Sequence, residues 1–506
     1  MPELTKYLDD ARNLIYQKQR ANGVTMTSNA LPRTGLIIFA KRGCETCVMV
    51  QPVFAQLARE RRILVFTQDD PTFPDAVAAL DDTSLEQSFR FEVEALPTVI
   101  RLEDGKEVAR TFGWNRAEWE RVTGLRGLGP ELPAMRPGCG SKTREPGVWE
   151  KLVARYGDSG IASRSIVIGE WDDEIEACFD RGWSDGLPVV PPTDSRIMRM
   201  LQGTSRRPDE VIGLVPPNLV PITIEKVAIN AVLAGCRAEY MPVVLAALEA
   251  ALEPEATMHG VLCSTCFSGP IVIVNGPITR EIGMNSGINC LGQGNRANAT
   301  IGRALQLIIR NVGGGRPGEI DRAVLGGPGK FTFCFAEDES DSTWTPLSVA
   351  RGVGPGKNAV TVFQGDGIQG FIDQRSLTPE QLTRSLALSL LAVGNWKLCE
   401  FTNAMLVLVP EHYAIYQNAG WTRDRITHEL LAAMIRPGTD LIQGALGVGE
   451  GIDVTRKDEL VSKFWPEGLL IVRAGGQAGL FSAICAGWTG GRFRQESKTV
   501  TKEIRL

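Results

Sequence analysis

Gly35-Leu36-Ile37-Ile38-Phe39-Ala40 is a short apolar run, and two basic residues later comes Gly43-Cys44-Glu45-Thr46-Cys47. A brief unbroken apolar run stopped by polar residues and glycine is the pattern of a core strand. Val50, Phe54, Leu57 and Ala58 then recur at helical spacing and predict a helix over 48–61. Two cysteines three positions apart therefore lie where a strand turns into a helix. The positive end of a helix favours a thiolate, which is the reactive form of cysteine. Cys44 is expected to be the attacking thiol, and Cys47, one turn further, the resolving one. Lys41 and Arg42 are expected to lower the Cys44 pKa further.

Downstream, Ile63–Phe66 reads as a second strand, with helical stretches near 74–81 and 84–90. Ala95-Leu96-Pro97-Thr98-Val99-Ile100-Arg101-Leu102 is a strand entered through proline, Asp104-Gly105 is a hairpin signal, and 108–112 is the return strand. Residues 116–124 read as a closing helix. The order strand, CxxC, helix, strand, helix, proline-bearing strand, hairpin and helix resembles the thioredoxin fold over roughly residues 30–125. The residues that carry the resemblance are Cys44-Glu45-Thr46-Cys47 and Leu96-Pro97-Thr98. It implies a cis Pro97 facing the cysteine pair, thiol–disulfide exchange, and a cellular thiol or thioredoxin reductase as electron donor. A proline has no N–H, which leaves a neighbouring carbonyl or amide for a substrate backbone. Gly43 stands where the family has Trp, Glu45-Thr46 where it has Gly-Pro, and Ile38 near its buried acid.

The chain has 506 residues, 43% hydrophobic and 22% charged, enough to bury a full core. Lys and Arg total 54 against 59 Asp and Glu, a net charge of −5. That balance lacks the basic excess that holds a phosphate backbone, so no nucleic-acid partner is expected. No apolar run approaches the roughly 18 residues of a membrane span, and no membrane partner is expected. The start Met1-Pro2-Glu3-Leu4-Thr5-Lys6 has no targeting pattern, so the expected location is cytoplasmic. In a reducing compartment, paired cysteines point to catalysis or metal rather than to structural disulfides. Eleven cysteines leave at least one unpaired, and three histidines restrict His-based sites.

The expected fold class is α/β throughout. An exposed amphipathic helix over 4–20 lies within an N-terminal helix and loop, 1–33. A thioredoxin-like domain spans 34–125, and a Gly/Pro-rich linker or wrapping segment spans 126–165. A large α/β region of two lobes spans 166–506. Cys139, between Gly138 and Gly140, is expected to be exposed and flexible, as an unpaired loop cysteine or a relay thiol between the domains. In the large region, helices are expected at 194–202, 223–235, 240–252, 299–311, 379–393 and 424–435. Strands are expected at 269–277, where the strand ends in a turn, 405–409 and 469–472. The strand–Gly turns at 271–276 and 469–476 raise the prospect of two related halves.

A second CxxC, Cys263-Ser264-Thr265-Cys266, follows His259. Three readings stand: a redox disulfide served by the N-terminal domain, a metal held by His259, Cys263 and Cys266 with a distant Cys290 or Cys139, or two packed thiols. No cofactor is predicted. The segment 285–303 is dense in Asn and Gly and runs into a helix. Asn285, Asn289, Gly294, Asn295, Arg296 and Asn298 are candidate ligands for a small anion at a helix start. Gly475 and Gly476 follow a strand and precede a helix candidate, a second candidate loop. Gly444–Gly451 is a further Gly-rich stretch. Glu337-Asp338-Glu339 with Asp341 is expected to face solvent, and His412 and His428 to be structural. Gly186-Leu187-Pro188-Val189-Val190-Pro191-Pro192-Thr193 and the 294–305 motif Gly-Asn-Arg-Ala-Asn-Ala-Thr-Ile-Gly-Arg-Ala-Leu resemble those of an uncharacterised bacterial protein family, which brings no activity with it.

The expected function is a thiol–disulfide oxidoreductase. Cys44 and Cys47 deliver electrons to Cys263 and Cys266, in an active site that holds a small anionic substrate. The alternatives are a thiol-dependent lyase or transferase whose N-terminal domain only keeps its cysteine reduced, and a non-enzymatic docking module using the Pro97 face. The oligomeric state is not legible.

Overall fold

The computed structural model describes residues 32–157, 160–164, 166–169, 172–340, 343–444, 450–488 and 497–505. The helix expected over 4–20 and Asp341 lie outside the described residues, as do 445–449 of the Gly444–Gly451 stretch. The chain contains both helices and strands and divides into two compact units, Met1–Gly160 and Ile161–Leu506.

In the first unit the elements run β1 (Gly35–Ala40), α1 (Glu45–Met49), α2 (Gln51–Glu60), β2 (Ile63–Thr67), β3 (Ala79–Asp81), α3 (Glu86–Arg90), β4 (Ala95–Leu96), β5 (Thr98–Glu103), β6 (Lys106–Phe112), β7 (Trp114–Asn115), α4 (Arg116–Thr123), β8 (Met135–Arg136), β9 (Cys139–Gly140) and α5 (Val148–Tyr156). The sheet order is β3-β2-β1-β5-β6, with β1 parallel to β2 and antiparallel to β5. Strand β1 is buried almost throughout, which is why it reads as a continuous apolar run.

Three expectations change here. The single helix over 48–61 is two, broken at Val50, because Pro52 lacks an N–H and fits only a first helical turn. The helix near 74–81 is absent; Ala79–Asp81 instead pairs with Val65–Thr67, tertiary pairing overriding local propensity. The strand over 95–102 splits at Pro97, so β4 pairs outward with β9 while β5 joins the sheet.

The second unit runs α6 (Glu174–Asp180), α7 (Asp194–Leu201), β10 (Val211–Val215), β11 (Val220–Thr223), α8 (Ile224–Ala234), α9 (Met241–Leu252), α10 (Met258–Cys263), β12 (Gly269–Asn275), α11 (Ile278–Glu281), α12 (Arg296–Asn311), β13 (Cys334–Ala336), α13 (Leu347–Ala350), β14 (Ala359–Ile372), α14 (Pro379–Leu391), β15 (Thr402–Leu408), α15 (Pro410–Asn418), α16 (Arg423–Ala433), β16 (Arg436–Pro437), β17 (Leu460–Val461), β18 (Phe464–Arg473), β19 (Phe481–Gly487) and β20 (Val500–Glu503). One sheet runs through it in the order β13-β12-β14-β19-β15-β18, with β20 beside β14. That continuity, with the single compact unit, replaces the two expected lobes. The parallel pairs β12–β13 and β15–β18 flank the antiparallel β14–β19 pair.

Strands β12 and β15 are buried along their whole length. Val272 and Val274 face α8, α9 and α12, while Ile271 and Ile273 join Met405, Val407 and Val472 on the other face. The helix candidate after Gly479 is the strand β19, which fills the gap between β14 and β15.

Candidate functional site

Cys44 caps the N-terminus of α1, and its sulfur accepts from the Cys47 amide at 3.4 Å. As a thiol it reaches the Leu96 carbonyl at 3.6 Å, directly before the cis Leu96–Pro97 bond. Both cysteines are fully buried. The Cys44 pKa is lowered from 9.0 to about 5, first by the hydrogen bond from the Cys47 thiol. Burial opposes this, and the Cys139 thiol with the Cys47 and Cys139 amides adds to it. Cys47 is pushed far up, by burial and then by its bond to Cys44. One thiol is thus set to be an anion and its partner to hold a proton, the division of labour that exchange chemistry requires.

Arg42 does not serve Cys44 as expected. Its guanidinium pairs with Asp70 and Asp75, and Asp69 accepts from the Arg42 and Gly43 amides, each at 2.8 Å. Lys41 donates to the Gly140 carbonyl at 2.8 Å.

Cys139 is not a free loop residue. It lies in β9, paired opposite Leu96, and is half-buried. The edge left by Pro97 for a substrate backbone is occupied by the chain's own residues. Thr46 Oγ1 donates to Pro137 O at 2.6 Å, and Arg136 pairs with Glu45. A Cβ on Gly138 would lie 2.5 Å from the Leu96 carbonyl oxygen, so only glycine fits that approach. Beyond it, Ser141 and Lys142 are anchored by buried Gln68, which also bonds Ser88.

The second unit separates what the sequence reading joined. Cys263 and Cys266 are both exposed. Cys263 ends α10, and Cys266 stands three residues before β12 begins at Gly269. Ser268 bonds Asp366 at that same edge. The Gly-rich loops follow the other end of β12 and the end of β18, about 20 Å away for seven strand residues. The two loops do meet: Gly475 N donates to Ser286 O at 2.8 Å, and Gly476 packs on Ile288.

Most of the candidate ligand side chains there are spent on the loop itself. Asn295 caps α12 by accepting from Asn298 N at 3.0 Å and donates to Gly283 O. Asn298 bonds Asn285 and Cys290, Asn285 bonds Ile288 O, and Asn289 bonds Gln293 O. Arg296 donates to Gly235 O at 3.0 Å. Gly294, at φ 112, has open space around it.

Of the acidic run predicted to face solvent, Glu339 is exposed, whereas Glu337 is buried and Asp338 half-buried at the carboxyl edge of the sheet. Glu337, 5% exposed, accepts from Asn275 at 2.6 Å, Leu347 N at 2.7 Å and Arg423 at 2.6 Å. Burial raises its pKa, with Arg423 opposing. Asp338 pairs with Arg473 at 3.1 Å, and Glu339 accepts from Asn275 and Gly276 N. These residues were missed, although their position directly after the apolar Phe333–Ala336 marks the end of a strand, where open α/β sheets gather polar groups.

No protein-family model matches this chain, and no curated protein matches it either. Among the described residues no three His, Cys, Asp or Glu side chains are gathered to hold a metal ion, which includes His259, Cys263 and Cys266. None of their helices is long and apolar enough to cross a membrane. His412 is fully buried between Ser482 Oγ at 2.7 Å and Asp373 O at 2.9 Å. The two motifs at 186–193 and 294–305 are tied together: Arg303 pairs bidentately with Asp185 and donates to Leu187 O and Pro188 O.

Proposed function

We propose that the chain is a thiol–disulfide oxidoreductase whose first unit is a thioredoxin-like domain. Cys44 and Cys47 supply two electrons, and Cys263 and Cys266 are the acceptors in the second unit. The observation that carries this reading is the pairing of a Cys44 sulfur held as an anion at about pKa 5 with a Cys47 thiol that keeps its proton. The exposure of Cys263 and Cys266 supports the acceptor role, and one chain linking donor to acceptor raises their effective concentration. The small anion belongs to the carboxyl-edge loops and does not react at Cys263 or Cys266, since these lie at opposite ends of β12.

Dithiol-dependent reduction of a disulfide substrate tests the reading. Cys44→Ser is expected to abolish turnover, and Cys263→Ser to leave Cys44–Cys47 oxidation intact while stopping transfer onward. Full turnover by Cys44→Ser would refute the proposal. A second reading, a lyase or transferase in the second unit, is favoured by the buried Asn275, Glu337 and Arg473 constellation. It predicts turnover of a small anion that persists in Cys44→Ser under added reductant and is lost in Glu337→Gln.

A further inference from the structure

Three thiols, not two, meet at the first unit's site. Residues 136–140 cross the start of α1, held by Thr46 to Pro137 O at 2.6 Å and Lys41 to Gly140 O at 2.8 Å. Strand β9 sets Cys139 opposite Leu96, whose carbonyl lies 3.6 Å from the Cys44 sulfur. The Cys139 thiol and amide lie close enough to that sulfur to lower its pKa. Gly138 lets the strap lie against Leu96 and Gly113 with no room for a side chain. Cys44 and Cys47 are fully buried beneath it, whereas Cys139 is half-buried. A disulfide between Cys44 and Cys47 is therefore sealed from an incoming thiol, while one that includes Cys139 is not.

We propose that Cys139 is a third redox thiol, exchanging with Cys47 for Cys44 so that the disulfide moves from the buried pair to a pair that solvent thiols can reach. The inference rests on the exchange chemistry proposed above. A low-molecular-weight disulfide such as oxidised glutathione first enters at half-buried Cys139; the Cys44 thiolate displaces the second glutathione from the Cys139 adduct, and Cys47 then displaces Cys139 from Cys44, so that the Cys44–Cys47 disulfide forms and two glutathione thiols leave with the Cys47 proton and one from solvent. The Cys139 thiolate then attacks Cys44 Sγ. The Cys44–Cys139 bond forms, the Cys44–Cys47 bond breaks, and Cys47 leaves as a thiolate that takes the proton Cys139 gave up. This second step is an isomerisation, with no net oxidation. An external thiol can then attack Cys139, and Cys44 departs as the anion, the better leaving group of the three because its pKa is lowest.

The test is a glutathione redox series on the full chain, acid-quenched, alkylated and mapped by mass spectrometry without reduction. Wild type is expected to yield both Cys44–Cys47 and Cys44–Cys139. Cys47→Ser, with Cys47→Ala as a second variant, is expected to collect as Cys44–Cys139 rather than as a glutathione adduct of Cys44. Cys139→Ser is expected to keep Cys44–Cys47 but to exchange with external glutathione at least tenfold more slowly. A Cys44–glutathione adduct in both Cys47 variants, or Cys139→Ser exchanging at the wild-type rate, overturns the inference alone. A wild-type chain whose Cys44 and Cys47 never oxidise overturns the exchange reading and this inference with it.

Discussion

Cys44 and Cys47 have the same side chain, and burial alone would raise both pKa values. They diverge because Cys44 collects donors while Cys47 becomes one. The largest lowering influence on Cys44 is the Cys47 thiol, followed among the donors by Cys139. Alkylation of Cys44 in reductant is therefore expected to show a pH midpoint near 5, and Cys47→Ala to move that midpoint upward. An unmoved midpoint would mean the Cys139 thiol and the amides hold the anion without Cys47. The accelerated rate at low pH must still pass the strap, so the midpoint, not the absolute rate, reports the pKa.

At the scale of elements, the strap depends on Gly138 and the second unit on the grip of α12. Gly138→Ala places a methyl 2.5 Å from the Leu96 carbonyl, against backbone that cannot step aside. Overpacking of this kind costs about 1–3 kcal/mol. The expected result is a lower urea midpoint with faster alkylation of Cys44, because the displaced β9 uncovers it. In the second unit Arg303 and Asp185 side chains are 14% and 11% exposed. Arg303→Ala leaves the half-buried Asp185 carboxylate with only the Leu187 amide, a change expected to destabilise the second unit. Equilibrium unfolding would show it as a lowered midpoint, with cysteine chemistry in the first unit unchanged.

For the whole molecule, two groups set a pH dependence of the same sign. Cys44 falls from 9.0 to about 5 in the folded chain, so between those values the unfolded chain binds more protons. Its contribution to stability is complete above about 9 and is lost as pH falls through 5. Lys463 is 2% exposed, donates to Val393 O and Asn395 O at 2.8 Å each, and is lowered by burial from 10.5 to about 8. Holding its charge in the fold costs stability below about 8, and that cost is relieved as pH rises to 10.5. Urea midpoints in reductant are expected to rise with pH relative to Cys44→Ala between pH 5 and 9, and relative to Lys463→Met between pH 8 and 10.5. A flat difference in either window would show that the group is not perturbed in the fold.

Local pattern made much of this legible. The apolar runs within 35–40, 269–275 and 405–409 announce buried strands because a strand covered on both faces has no polar side to show. Helices α8 and α12 start at the capping residues Thr223 and Asn295, and the Cys44–Cys47 spacing names the thiols. What the sequence could not settle depends on contacts between distant residues. Whether Ala79–Asp81 becomes helix or strand is set by β2, and whether Phe481–Gly487 becomes helix or strand by a vacant place between β14 and β15. Cys139 joins Cys44 only because β9 returns to pair with β4. Glu337 is buried rather than solvated only because Arg423 and Asn275 converge on it. The sequence by itself determined the fully buried strands and the two CxxC spacings, since those obey short-range periodicity and chemistry. Only the tertiary structure decided which thiols and charges share one site, because pairing across long loops has no local signature.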